Sequence, residues 1–201
     1  MKKSVFVLMA LTLNLGAFAM GRFSPLGVSI VTSKASGNDA QLPEKYDYVY
    51  GVRLSLLSGA HRRMVGLATA VCANYDDVAD GSVGGLQIAG LFNTAGDGEL
   101  GVGQISGFFN GVSRNCNGVQ ICSVYNKAAG YFSGCQVALF NGAKSDCAGA
   151  QIGLFNRGGS VMGLQIGLLN FAESLQGMQL GVLNFVDSSM MSMFPVVRIG
   201  W

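Results

Sequence analysis

The sequence predicts an all-β repeat protein. Three observations carry that prediction: one phrase recurs in tandem, the phrase alternates with period two, and the segments between copies read as turns. The copies are phased on Gln87, Gln104, Gln120, Gln136, Gln151, Gln165 and Gln179. An aliphatic residue follows each, from Ile88 to Leu180, and then a small one, from Ala89 to Gly181. Each phrase closes on an asparagine: Asn93, Asn110, Asn126, Asn141, Asn156, Asn170 or Asn184. Glycine stands two residues before every Gln except Gln104, where Val102 takes its place. The Gln-to-Gln steps are 17, 16, 16, 15, 14 and 14 residues. Tandem self-similarity at a short period marks a repeat architecture.

In Gly163-Leu164-Gln165-Ile166-Gly167-Leu168, glycine and glutamine share one face and the aliphatics the other. Such alternation is that of a strand, and glycine at this density would cost a helix about 1 kcal/mol per residue. Asn93 to Gly98 and Asn156 to Ser160 have the Gly, Asn, Asp and Ser content of turns. Each repeat therefore reads as one strand plus one turn per 14–17 residues.

Composition narrows the class. Of 201 residues 30 are glycine, half are apolar and only 12% are charged, where an ordinary soluble domain carries about 25% charged residues. A net charge of +2 gives no electrostatic case for nucleic acid as a partner. So few charges on alternating strands point to a surface that meets lipid, or to tightly stacked strands.

Residues 1–19 read as a secretory signal peptide: Lys2 and Lys3, an uncharged apolar run from Val5 to Leu15, and the Ala17-Phe18-Ala19 cleavage pattern. The apolar run is too short to span a bilayer as a helix. Residues 20–201 then form a single β-repeat domain. Lead-in strands occupy 26–74, beginning with Leu26–Val31 and Tyr48–Leu56, with a polar loop from Thr32 to Lys45 between them. Ser58 to Arg63 reads as a turn carrying the only histidine, His61, with no partner constellation around it. Val65 to Asn74 is a degenerate copy, with Ala68 in the Gln position and Asn74 in the Asn position. The seven clear repeats fill 83–187, and a C-terminal strand, 196–201, ends on Trp201.

The copies Gly149 to Asn156, Gly163 to Asn170 and Gly177 to Asn184, behind a signal peptide and before a Pro-containing aromatic end, resemble a family of exported surface-repeat proteins of Gram-negative bacteria. The resemblance covers most of the mature chain. It implies a place at the outer membrane or cell surface and carries over no activity. Departures are Val102, the extra residue between Gln and Asn in the first three copies, and Cys122 and Cys135 within strands.

Catalytic chemistry is not written in the chain. It holds no nucleophile elbow, phosphate loop or metal-spaced His/Cys pair. Gly101-Val102-Gly103 lies inside a repeat and lacks the strand-to-helix context of a nucleotide loop. Asp76, Asp77 and Asp80 fall short of the fixed oxygen spacing of a calcium loop. No catalytic, cofactor-binding or metal residue is assigned and no cofactor is expected. The five cysteines, Cys72, Cys116, Cys122, Cys135 and Cys147, leave one over if pairs form, and small buried thiols are the simpler expectation.

Two architectures fit. The preferred one is an antiparallel membrane β-barrel, with Leu86, Ile88 and Leu91 and their equivalents toward lipid, the Gly/Gln face inward and charges in the turns. The alternative is a parallel β-solenoid with stacked Gln and Asn ladders and the aliphatics inside. The three long copies are consecutive, which suits a solenoid, because extra residues then stack in register. Function follows location. The first expectation is a non-enzymatic outer-membrane or surface protein with a structural, pore-like or adhesive role and membrane lipid as partner. The second is a soluble exported solenoid binding a partner along its Gln/Asn ladders. The sequence names no protein or surface ligand.

Overall fold

The structure, a computed structural model, describes residues 23–31, 48–61, 63–76, 83–96, 100–189 and 192–201. The expected signal peptide, the loop at 32–45, Asp77 and Asp80 lie outside the described residues. The strands are β1 (Phe23–Val31), β2 (Tyr48–His61), β3 (Arg63–Ala70), β4 (Ala73–Asp76), β5 (Leu86–Ala89), β6 (Phe92–Ala95), β7 (Gly103–Ser106) and β8 (Phe109–Val112). They continue with β9 (Cys116–Ile121), β10 (Tyr125–Ala128), β11 (Phe132–Val137), β12 (Phe140–Ala143), β13 (Cys147–Ile152), β14 (Phe155–Ile166), β15 (Leu169–Val186) and β16 (Met193–Gly200).

The chain is a parallel β-solenoid, and the barrel expectation is overturned by its strand pairing. Gln104 pairs with Gln87 and Gln120, and Gln151 pairs with Gln136 and Gln165. Asn110 pairs with Asn93 and Asn126 in the same way. Like therefore stacks on like, in register and parallel, whereas antiparallel neighbours would reverse the phrase at every step. Only the last pair, β15 with β16, is antiparallel among the described strands that follow β4.

The expectation of one strand per repeat is corrected too. Each repeat turns a corner after its small residue and supplies two strands. One joins a Gln stack (β3, β5, β7, β9, β11, β13) and the other an Asn stack (β4, β6, β8, β10, β12). In β14 and β15 the chain runs from the Asn stack into the Gln stack of the next coil without a break in strand. Ser58 to His61, expected as a turn, is strand that pairs with β4. The degenerate copy keeps its phase: Ala68 pairs with Gln87 and Asn74 with Asn93. Arg53 stands one coil earlier in the Gln row, paired with Ala68.

Glycine is required where one coil crosses the next. Gly163 has φ +140°, and a Cβ there would sit 2.1 Å from the carbonyl oxygen of Gly149. An L side chain meets both a disfavoured backbone and a clash with atoms that cannot rotate away.

The inside of the coil is the second correction to the solenoid expectation. Every Gln and Asn that phases a copy, Gln87 to Gln179 and Asn93 to Asn184, is buried, whereas Ile88, Ile105, Ile121, Ile152 and Ile166 stand outward and partly exposed. An amide can occupy a dry interior only when its hydrogen bonds are met, and in-register stacking meets them. Gln165 donates through Nε2 to Gln151 Oε1 (2.7 Å) and to the Phe171 carbonyl (3.2 Å). Asn156 donates through Nδ2 to Asn170 Oδ1 (2.8 Å) and to the Ile166 carbonyl (2.8 Å). Beside the amides, an apolar strip fills the rest: Leu100, Cys116, Phe132, Cys147, Val161 and Leu175 face Val112, Ala128, Ala143 and Ala172.

The two ladders point in opposite directions. Each Asn donates to the Asn of the following coil, from Asn74 to Asn93 and on to Asn184. Each Gln donates to the Gln of the preceding coil, from Gln179 back to Gln87. Aligned amide dipoles in one row are therefore opposed by those in the other. Each ladder ends on an oxygen that receives no donor, Asn74 Oδ1 at one end and Gln179 Oε1 at the other. β16 covers the second end and sets Arg198 in register with Gln179.

Candidate functional site

The outer surface is the part of this molecule with something to do, and it divides sharply around the coil. Charged residues between 100 and 189 are Arg114, Lys127, Lys144, Asp146, Arg157, Glu173 and Asp187. Six lie between the Asn of one phrase and the glycine that opens the next, and Asp187 follows the Asn of the last phrase. The arcs from that glycine through Gln to Asn, such as 149–156, 163–170 and 177–184, hold none. One edge of the solenoid is thus charged. The opposite edge, where each coil turns from the Gln stack to the Asn stack, is apolar.

The apolar edge is built from corner residues. Phe108, Leu139, Leu154, Leu168 and Val182 stand on it, each between 40% and 60% exposed. Next to them on the Asn stack, aromatic rings line up coil over coil. Phe140 and Phe155 stack with centroids 4.9 Å apart and planes 8° from parallel, and Phe171 on Phe185 repeats this at 4.8 Å and 6°. Rings spaced by the strand separation turn their faces to one another and their edges outward. A shallow groove on this face is lined by Tyr125, Phe140, Phe155, Phe171, Arg157 and Glu173.

The backbone at the apolar corners is satisfied between coils. The amide of Gly153 donates to the Ile166 carbonyl, and those of Leu154 and Phe155 both donate to the Leu139 carbonyl, all at 2.9 Å. The next coil repeats the pattern: Gly167 to Leu180, and Leu168 and Leu169 to Leu154, again at 2.9 Å. A corner with its amides bonded this way does not depend on water for them.

The sequence candidates for chemistry do not come together. His61 ends β2 and Asp76 ends β4, with no described side-chain environment for either. Among the described residues no group of three His, Cys, Asp or Glu side chains is placed to hold a metal. The cysteines are unpaired. Cys116 and Cys147 share one inward row but are separated by Phe132, which pairs with both. Burial pushes the Cys116 and Cys147 thiols up to about 12 from an ordinary 9.0, so neither supplies a thiolate near neutral pH. Cys122 and Cys135 are raised as well, chiefly by burial.

No family model matches the chain, and neither a curated protein nor a solved structure does.

Proposed function

We propose that the mature chain is an exported, non-enzymatic scaffold that attaches to its partner through the outward apolar rows. The observation that carries this reading is the inversion of the coil: amides inside, aliphatic and aromatic side chains outside at one coil after another. Extended apolar surface of this kind marks a binding face. The resemblance of the repeats to exported surface proteins supports the same location. The partner meets Ile, Leu and Phe side chains; the Gln and Asn ladders, buried and already bonded, build the face from behind. A pore-like role has no support, because the axis of the coil is filled by those ladders.

Cell fractionation with N-terminal sequencing tests the reading. The mature chain is expected in the envelope fraction, lacking residues 1–19 and resisting a high-salt wash. A variant combining Ile121→Thr, Ile152→Thr and Leu154→Ser is expected to move to the soluble fraction with its strand circular dichroism unchanged. Release of the unaltered chain by salt alone, or retention of Lys2 and Lys3, overturns it.

A further inference from the structure

We infer that the partner is one leaflet of a lipid bilayer: the solenoid lies along the membrane surface with its corner edge in the acyl chains and its charged edge in water. This rests on the reading of the apolar rows as the working surface and names what covers them. Three observations carry it.

The first is the placement of charge around the coil. A partner protein needs one complementary patch, and leaves the other faces of the solenoid to be polar. Here the arcs from the opening glycine to the Asn, which form the corner edge and the adjoining part of each flank, are free of charge in the coils between 100 and 189. The charges of those coils lie beyond these arcs, Lys127 and Arg157 directly after their Asn. Ile121 and Ile152 on one flank, Phe140 on the other and Leu139 and Leu154 at the corner are all partly exposed. Only a surrounding solvent touches two flanks and the edge between them at once.

The second is hydrogen bonding. Backbone can enter hydrocarbon only where its polar groups are met internally. Parallel strands meet that condition along both flanks, and the coil-to-coil bonds of Gly153, Leu154, Phe155, Gly167 and Leu168 meet it for the corner amides. Open sheet edges lie only at the two ends of the stack, away from the flanks.

The third is depth. The charge-free part of a Gln strand, from Gly149 to the corner at Gly153, advances roughly 13 Å at about 3.3 Å per residue. One leaflet offers about half of a hydrocarbon core that is roughly 30 Å thick. The apolar part of the coil therefore fits within a leaflet, and the charged edge stays at the headgroups. A spanning orientation would draw the charged edge into the hydrocarbon.

The test uses the mature chain purified from the envelope, with Trp201→Phe to remove the only tryptophan. Leu154→Trp or Lys144→Trp then places a single reporter on one edge or the other. The probes are phosphatidylcholine vesicles, with and without phosphatidylglycerol, carrying lipids brominated at mid-chain. Both variants are expected to float with vesicles of either composition. Bromine should quench Leu154→Trp several-fold more than Lys144→Trp, and aqueous iodide should quench them in the reverse order. Flotation that requires phosphatidylglycerol and is lost in salt overturns insertion. A chain that ignores vesicles but forms a stable oligomer, with Leu154→Trp shielded from acrylamide, assigns the edge to a second copy; the lipid assignment then falls and the apolar face stands. A monomer that ignores vesicles and shows both tryptophans to acrylamide equally removes the lipid assignment and the attachment reading together.

Discussion

Coils phased on Gln87, Gln104 and Gln120 and those phased on Gln136, Gln151, Gln165 and Gln179 solve the same corner in two ways. The first group has six residues from Gln to Asn and the second has five. In the wide corner of Cys122, Ser123, Val124 and Tyr125, the closing Asn126 reaches back to the carbonyl of Gln120 at 3.0 Å. In the tight corner of Ala138, Leu139 and Phe140, Asn141 reaches the Ala138 carbonyl instead, at 3.4 Å. Wide corners carry Ala89, Ser106 and Cys122 at the inward position; the last tight ones carry Gly153, Gly167 and Gly181. A Cβ at Gly167 would lie 2.5 Å from the Gly153 carbonyl oxygen and 2.6 Å from Asn156 Nδ2. The first tight corner still holds the methyl of Ala138, and from Gly153 onward, where tight corner stacks on tight corner, the room for a side chain is gone. The ladders are indifferent to the change, since Gln stacks on Gln across the boundary between Gln120 and Gln136.

The largest expected effect tests what the two groups share. Gln120→Arg and Gln165→Arg each put a charge into a buried row and strip two neighbouring amides of their partners. Each should cost about 4 kcal/mol or more, enough to prevent folding. Arg53 is accepted in the same row, where it pairs with the small Ala68. Denaturant unfolding reads this out. A Gln165→Arg chain as stable as the parent would mean that the faces are reversed.

The next effect separates the groups. Gly167→Ala should cost about 2–3 kcal/mol through the clash in a tight corner. Ser106→Ala, in a wide corner, loses only the bond to the Phe109 carbonyl, about 1 kcal/mol. Equal shifts in unfolding midpoint would erase the distinction.

An effect that is smaller per pH unit probes the strip under the charged edge, common to both groups. Cys116 and Cys147 keep their protons in the fold to about pH 12, and in the unfolded chain only to about 9.0. The unfolded state therefore sheds protons first. Stability should hold below pH 9.0 and fall between there and pH 12, by up to about 1.4 kcal/mol per pH unit for each thiol. Cys147→Ala should flatten the slope of unfolding free energy against pH; an unchanged slope would show the thiols to be wetter than their burial says.

Much of this was readable in the chain. The repeat gave the phase of every coil down to Ala68 and Asn74, and period two gave the two faces. The run of three long copies pointed to stacking in register. Two things were hidden. Alternation continues so nearly through the corner that one phrase looks like one strand; the mark is a pair of adjacent outward residues, Leu168 and Leu169, between inward Gly167 and Asn170. The sense of the faces, amides in and aliphatics out, was drawn for the barrel and reversed for the solenoid, where the habit of putting aliphatics inside prevailed. Glutamine is a poor core residue when considered alone, and it becomes a good one when an identical residue stands one strand spacing above and another below it. That condition belongs to the stack and to no single copy. The charge-free arcs were visible as well, but which edge they formed depended on the coil.

The ladders also bear on how such a chain can change length. An internal coil donates and accepts the same bonds as its neighbours, so splicing two copies at the same phase, for instance Gly149 onto Gly163, leaves each remaining amide an equivalent partner. Recombination between copies is thereby a source of folded variants, provided that the exchange is in phase and joins corners of one width. The ends do not share this freedom: Gln179 meets Arg198 of the closing strand and no further glutamine.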